Sequence, residues 1–303
     1  MSQLLDAIMS TLGLKQEKRA AVAVDEDAGR AVMKPLSTSE AVAEGRLVLL
    51  VEDNPVNQRV AQMHLTKLGY LCHIANDGCE AVQASECTPY SMILMDCQMP
   101  VMDGFEATRA IRKREQEQSE ERRIIIAMTA NAMKGDRERC LEAGMDDYLS
   151  KPISRDRLQE VLDRWRKASA PLSSPISTAG EQAVESLVGE ESYFDVDYIR
   201  ELVGDDDDIV RELLQLFYDS MRDVLRSKMA VALNNRDRDA MRAHAHELKG
   251  AAGNIGAAAI EQRCQAIEQL VAREQWIEIE AAMEWLKEAH HAIGVWVAGS
   301  KAL

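Results

Sequence analysis

The sequence predicts an α/β domain with a five-stranded, doubly wound parallel sheet, followed by an all-α domain. Three observations carry this reading. Between residues 46 and 167, five short apolar runs alternate with segments of helical period. Residues 168–192 then change to linker composition, opening on Ala-Ser-Ala-Pro-Leu-Ser-Ser-Pro. Beyond Phe194 apolar residues recur only at helical spacing, without strand-like alternation.

Leu47–Val51 is continuously apolar, as a strand buried on both faces requires. Asn54 caps the helix that follows, Pro55 suits its first turn, and Val56, Val60, Met63 and Leu68 form its apolar stripe. Leu71–Ala75, Ser91–Met95, Arg123–Met128 and Asp146–Leu149 read as the remaining strands. Helices are expected over Asp77–Glu86, Asp103–Arg114 and Met133–Ala143, and a last one carries Leu158, Val161, Leu162 and Trp165 on one face. Lys113–Arg122 is charged throughout most of its length and reads as a solvated helix extension. In the all-α part, Ile209–Leu233, Asp237–Ala252, Ala257–Ala272 and Glu274–Val297 predict an antiparallel four-helix bundle over 193–298. The acidic run Asp205–Asp208 fits a helix N-terminus, where negative charge is stabilising.

Composition removes several function classes. The 303 residues carry a formal net charge of −15, which disfavours nucleic acid and anionic membrane surfaces. No apolar run has the length of a membrane span, so no direct membrane insertion is expected. The six cysteines (Cys72, Cys79, Cys87, Cys97, Cys140, Cys264) include no C-x-x-C pair and read as reduced thiols of a cytoplasmic protein. A phosphate cradle of the G-x-x-x-x-G-K-[ST] type is absent from the sequence, and with it any visible ATP-dependent kinase site.

Ligands of doubly wound sheets sit at the carboxyl ends of the strands, and reactive side chains fall there. Glu52 and Asp53 follow the first strand, Asp96 ends the third, Thr129 ends the fourth and Lys151 follows the fifth. Three clustered carboxylates repel one another and call for a hard divalent cation with oxygen ligands, so Mg²⁺ is the expected cofactor. Asp96 can then act as a nucleophile toward a phosphoryl group, with Thr129 as hydrogen-bond donor and Lys151 as point charge. In the helical part His246 lies away from the apolar stripe of Met241, Ala245, Leu248 and Ala252. Lys249, Gly250 and Gly253 share its face, the arrangement expected of an imidazole that must meet another protein closely. His244 lies almost opposite on the helix and is expected to edge the core.

Two resemblances follow from these motifs. Residues 46–167 resemble a response-regulator receiver domain of flavodoxin-like fold, through Leu-Val-Glu-Asp-Asn (50–54), Met-Asp-Cys-Gln-Met-Pro-Val-Met-Asp-Gly (95–104), Met-Thr-Ala (128–130) and Tyr-Leu-Ser-Lys-Pro (148–152). The resemblance implies Asp96 as phosphoacceptor, Glu52 and Asp53 with Asp96 and the backbone carbonyl of Cys97 as metal ligands, and Thr129, Tyr148 and Lys151 as switch and phosphate-binding residues. Residues 193–298 resemble a histidine-phosphotransfer (HPt) domain through Ala-His-Glu-Leu-Lys-Gly-Ala-Ala-Gly-Asn-Ile-Gly (245–256). This implies His246 as second phosphoacceptor, supported by Lys249, Gly250 and Gly253.

Receiver followed by HPt is the order found at the C-terminus of hybrid sensor histidine kinases. Residues 1–13 fit that picture as the last helix of a preceding receiver, because Leu5, Ile8, Met9 and Leu12 repeat the spacing of Leu158 to Trp165. Residues 14–45 then read as a disordered linker and 168–192 as a flexible one. The resulting expectation is a non-enzymatic phosphorelay protein between an upstream sensor histidine kinase, including a longer form of the same polypeptide, and a downstream response regulator. It would be cytoplasmic, and membrane-tethered only as part of a longer kinase. A Mg²⁺-dependent aspartyl phosphatase is the enzymatic alternative. It needs an acidic residue two positions after the nucleophile, where this chain has Gln98. A phosphorylation-independent scaffold is the other, and it leaves both acceptor motifs without a purpose.

Overall fold

The computed structural model describes residues 36–129, 134–167, 193–204 and 206–299. The helix expected over 1–13 and the linker at 168–192 lie outside these residues. Strands β1 (Leu47–Val51), β2 (Leu71–Ala75), β3 (Met92–Asp96), β4 (Ile124–Thr129) and β5 (Asp147–Ser150) form one parallel sheet in the order β2-β1-β3-β4-β5. The central strands β1 and β3 are buried along their whole length, while β2 and β5 at the edges are partly open. That difference explains the unbroken apolar runs of the first pair, which have helices on both faces. The register aligns Val51 with Met95 and Asp96 with Met128, so Glu52 and Asp96 emerge side by side at the carboxyl edge of the sheet, with Thr129 one residue further along β4.

Helices α2 (Pro55–Lys67), α3 (Gly78–Cys87), α4 (Gly104–Gln118), α5 (Lys134–Ala143) and α6 (Arg155–Lys167) connect or follow these strands. Ahead of them stands α1 (Thr38–Ala43), closed by a capping box between Ser37 and Glu40. Its Ala41 is fully buried, and Leu36 and Val42 pack against the sheet core. The end of the expected 14–45 linker is therefore folded structure: a single short apolar face is too weak a periodic signal to be recognised alone. The rest of that linker lies outside the described residues.

Asn54 caps α2 as expected, accepting from the backbone of Val56 at 2.9 Å. The stripe on α2 has a different destination from the one its spacing suggests. Ala61 and Leu65 face the sheet, whereas Val56, Val60 and Met63 join the core of the helical domain. The charged stretch 113–122 is also more than a solvated extension. Arg112, Arg114 and Glu115 are buried, with Arg112 paired to Glu115 at 2.8 Å and to Asp146 at 2.7 Å. Asp146 also holds Arg122, at 2.6 Å, which ties the end of α4 to the start of β5. Period reading cannot anticipate such burial, because it depends on partners distant in sequence.

At the start of α4, Gly104 lies against the Asp96 backbone, and an added Cβ would run into the Asp96 carbonyl oxygen. Gly104→Ala is therefore expected to destabilise the α/β domain by about 1–3 kcal/mol, since the backbone has nowhere to retreat. Urea unfolding monitors this directly, and an unchanged midpoint would show that the two segments have room to part.

The helical domain comprises α7 (Val196–Val203), α8 (Asp207–Asp223), a π-helical turn (Val224–Met229), α9 (Ala230–Asn235), α10 (Arg238–Asn254), α11 (Ala258–Ala272) and α12 (Trp276–Gly299). From α8 to α9 the chain runs on as one helix, and with α10, α11 and α12 it makes the four expected members; α7 is an additional short helix. Asp206 caps α8 by accepting from Asp208 and Ile209, which accounts for the acidic run. Phe217, Met221, Leu248, Ile267 and Leu286 lie in one fully buried core with the α2 residues named above.

Candidate functional site

The strand ends assemble an acidic pocket. Glu52 and Asp96 are buried and share the Lys151 ammonium, whose Nζ donates to Glu52 Oε2 at 2.6 Å and to Asp96 Oδ2 at 2.7 Å. The Gln98 backbone N–H donates to Asp96 Oδ1 at 3.2 Å. Burial, with the Asp96 charge adding to it against Lys151, pushes the Glu52 carboxyl up to about 7. Burial and then Asp96 raise Asp53 to about 6. Burial opposes the charge on Lys151, but Asp96 and Glu52 outweigh it and hold the ammonium above the ordinary lysine range.

Ligand oxygens of Glu52, Asp53 and Asp96 all lie within 4.8 Å of one another. Three hard oxygen donors this close, with the Glu52 and Asp53 carboxyls pushed upward by burial and by the Asp96 charge, suit a small divalent cation. The Cys97 carbonyl accepts from the Gly104 N–H at 3.3 Å and keeps a second lone pair. Thr129 is buried at the end of β4, and Tyr148 is half-buried against the sheet core. The Cys97 thiol lies 3.9 Å from that of Cys140, and this contact and burial both push it upward, so it is a packed, unreactive group.

On the helical side, His246 Nδ1 is 2.8 Å from Glu268 Oε1, and Lys249 Nζ donates to the other oxygen of the same carboxylate at 2.7 Å. Burial works against the Glu268 charge, but the bonds from His246 and Lys249 prevail and hold its carboxyl below the usual range. A carboxylate on Nδ1 selects the tautomer with its proton there and makes the Nε2 lone pair available for bonding. Asp96, Asp53 and Lys151 line one cleft of about 730 Å³ together with His246, Lys249 and Gly250. Both candidate acceptors open onto that cleft.

Comparison with known proteins accords with this architecture. Residues 48–163 match the response regulator receiver domain, and residues 212–296 match the Hpt domain. The chain joins a receiver domain to an Hpt domain. Sensor protein GacS of Pseudomonas syringae pv. syringae is 34% identical over 224 residues, covering 74% of this chain and 24% of that protein. Signal transduction histidine-protein kinase BarA of Escherichia coli K12 is 32% identical over 222 residues, covering 73% and 23%. The chain thus spans about a quarter of the length of the curated relatives it matches. Its receiver and Hpt domains are homologous to the phosphorelay region of these hybrid kinases. Among solved structures, the receiver domain of sensor histidine kinase PA1611 from Pseudomonas aeruginosa is 53% identical, with a TM-score of 0.37, covering 41% of this chain and 98% of that one. It was crystallised with magnesium coordinated in its active-site cleft.

Three site features escaped the sequence. Glu268, which orients His246, belongs to another helix of the Hpt domain, and nothing in its own surroundings marks it. Gly250 faces the receiver, where an added Cβ would lie 3.9 Å from Asn57 Nδ2, whereas one at Gly253 would meet the Glu261 carboxylate at 3.3–3.4 Å. Gly253 thus serves the approach of α11 and not that of the receiver. His244 also lines the interdomain cleft, 3.5 Å from Glu247, and does not edge the Hpt core. Among the described residues no helix is long and apolar enough to cross a membrane.

Proposed function

We propose that this chain is a two-station phosphorelay protein. Asp96 accepts a phosphoryl group from the phosphohistidine of an upstream sensor kinase, and His246 takes it from Asp96 for delivery to a downstream response regulator. The observation that carries this reading is the shared cleft, onto which a buried carboxylate and an oriented imidazole both open. In the first step an Asp96 oxygen bonds to phosphorus as the donor's P–N bond breaks. Lys151, already on the Asp96 carboxylate, offsets the charge gathering on the phosphoryl oxygens, and Thr129 stands at the neighbouring strand end. In the second step His246 Nε2 bonds to phosphorus, the acyl P–O bond breaks, and the Asp96 carboxylate is regenerated. The positive charge then on the imidazole rests against Glu268.

Glu52, Asp53, Asp96 and the Cys97 carbonyl would hold Mg²⁺, which supplies Lewis-acid neutralisation of the phosphoryl oxygens when bound. The phosphatase alternative fares no better than in sequence, because the Gln98 amide is no general acid. Incubating the full chain with radiolabelled acetyl phosphate and Mg²⁺ tests the proposal. Both a base-labile acyl phosphate and an acid-labile, base-stable phosphoramidate are expected. Label confined to hydroxyl side chains would refute it.

The raised carboxyls imply a pH dependence of metal binding. Protons compete with the cation for Glu52 below about pH 7 and for Asp53 below about pH 6. Affinity for Mg²⁺ should therefore rise with pH through this window and level off above it, with binding on the order of 10³-fold weaker at pH 5 than at pH 8. Without metal the sign for stability is opposite. Both groups bind protons more tightly folded than unfolded, so their contribution is full below about pH 4 and lost as pH rises through about 6–7. Calorimetric titration across pH checks the first point, and a flat affinity would remove Glu52 and Asp53 from the metal site.

A further inference from the structure

Helix α2 of the receiver is apolar on two sides. Ala61 and Leu65 meet the sheet, while Val56, Val60 and Met63 enter the core of the Hpt domain. A helix lying on a sheet needs only one apolar side, so the second calls for a partner. In this structure the partner is the chain's own Hpt domain, met through α8 and α10.

A polar pair sits within that apolar contact. Asn57 is 6% exposed and Asn254, on α10, 3%. Asn254 Nδ2 donates to Asn57 Oδ1 at 2.7 Å, and Asn57 Nδ2 donates to Glu52 Oε1 at 2.8 Å. Glu52 therefore fixes which end of the Asn57 amide faces the Hpt domain, and the oxygen presented there requires a donor. Asn254 Oδ1 is buried without a partner. A half-satisfied amide weakens the Hpt core, and its one bond is made across the domain boundary. At the rim, half-buried Arg59 donates to exposed Glu212 at 2.7 Å.

We infer that the Asn57–Asn254 bond and the Arg59–Glu212 pair make the chain's own Hpt domain the recipient for Asp96, so that transfer to His246 runs within one chain. This rests on the relay proposed above and names its recipient. The four side chains are positioning residues: they touch neither phosphorus nor the reacting atoms. Buried amides tolerate one alignment and penalise the others, whereas the apolar contact by itself permits sliding. Alignment by Asn57 has a further consequence, since the same amide holds Glu52 and so references the Hpt domain to the acidic pocket.

The test is a single-turnover chase of label from Asp96 to His246 in the full chain. For the wild type, the rate constant should not change with chain concentration between about 1 and 50 µM, as expected for a tethered partner. Arg59→Glu and Glu212→Arg should each slow the chase by about 3- to 5-fold, the scale of an exposed ion pair. The double variant Arg59→Glu/Glu212→Arg should return to within about twofold of wild type, a rescue that general destabilisation cannot produce. Asn254→Asp keeps the side-chain volume but replaces the donor with an acceptor, and should slow the chase about tenfold or more. The inference is overturned by a rate that grows with chain concentration, by a charge swap no faster than its single variants, or by Asn254→Asp chasing at the wild-type rate. If label enters Asp96 in the wild type and never reaches His246, the relay itself fails, which is a separate outcome.

Discussion

Asp96→Asn is expected to abolish acyl-phosphate formation, reducing label uptake from acetyl phosphate at this site by more than about 10³-fold, the scale on which removal of a nucleophile acts. The side chain is nearly isosteric, so the pocket keeps its shape. It loses the charge that Lys151 Nζ faces at 2.7 Å and the oxygen lone pair that attacks phosphorus. Because Glu52 still holds Lys151 at 2.6 Å, the ammonium retains a partner and the domain should remain folded. Mass spectrometry of the labelled chain distinguishes acceptors, and undiminished modification in the Asn variant would transfer the role to Asp53 or another group.

His246→Gln is expected to leave acyl phosphate on Asp96 while eliminating the base-stable phosphoramidate. Glutamine can still hydrogen-bond to Glu268, but its amide nitrogen has no available lone pair with which to take a phosphoryl group. The discriminating comparison is His244→Gln, because His244 lines the same cleft. His244 lies 3.5 Å from Glu247 and lacks the 2.8 Å carboxylate contact that orients the His246 ring. His244→Gln should therefore retain most of the phosphoramidate, and Lys249→Ala should slow its formation. Label that vanishes with His244 and persists without His246 would assign the nucleophile to the wrong ring and void the role given to Glu268.

The difference between these two histidines marks the limit of one-dimensional reading. Helical spacing put His246 beside Lys249 and away from the apolar stripe, and the structure has both side chains on one carboxylate. The same spacing turned His244 toward the core. In the folded chain a second domain covers part of this helix, so a side chain more than a quarter-turn from His246 still reaches the cleft. Gly250 and Gly253 divide in the same way. Both lie one turn or two beyond His246, yet one faces the receiver and the other faces α11.

What the sequence determined alone is whatever follows from local period and from chemistry repeated at strand ends. Strands buried on both faces are continuously apolar, and parallel strands bring their carboxyl ends to one edge, so Glu52, Asp53, Asp96, Thr129 and Lys151 could be gathered into one pocket without coordinates. Helical period likewise produced the bundle and set His246, half-buried in the structure, apart from the apolar stripe. Tertiary structure alone decided what lies against each face. An apolar stripe says that Val56, Val60 and Met63 are covered, but not whether the cover is their own sheet or a neighbouring domain. The pairing of buried Arg112 with Asp146, the Glu268 carboxylate beside His246, and the bond between Asn57 and Asn254 all join residues distant along the chain. Period records how strongly a side chain avoids water; the identity of its partner is a property of the three-dimensional packing.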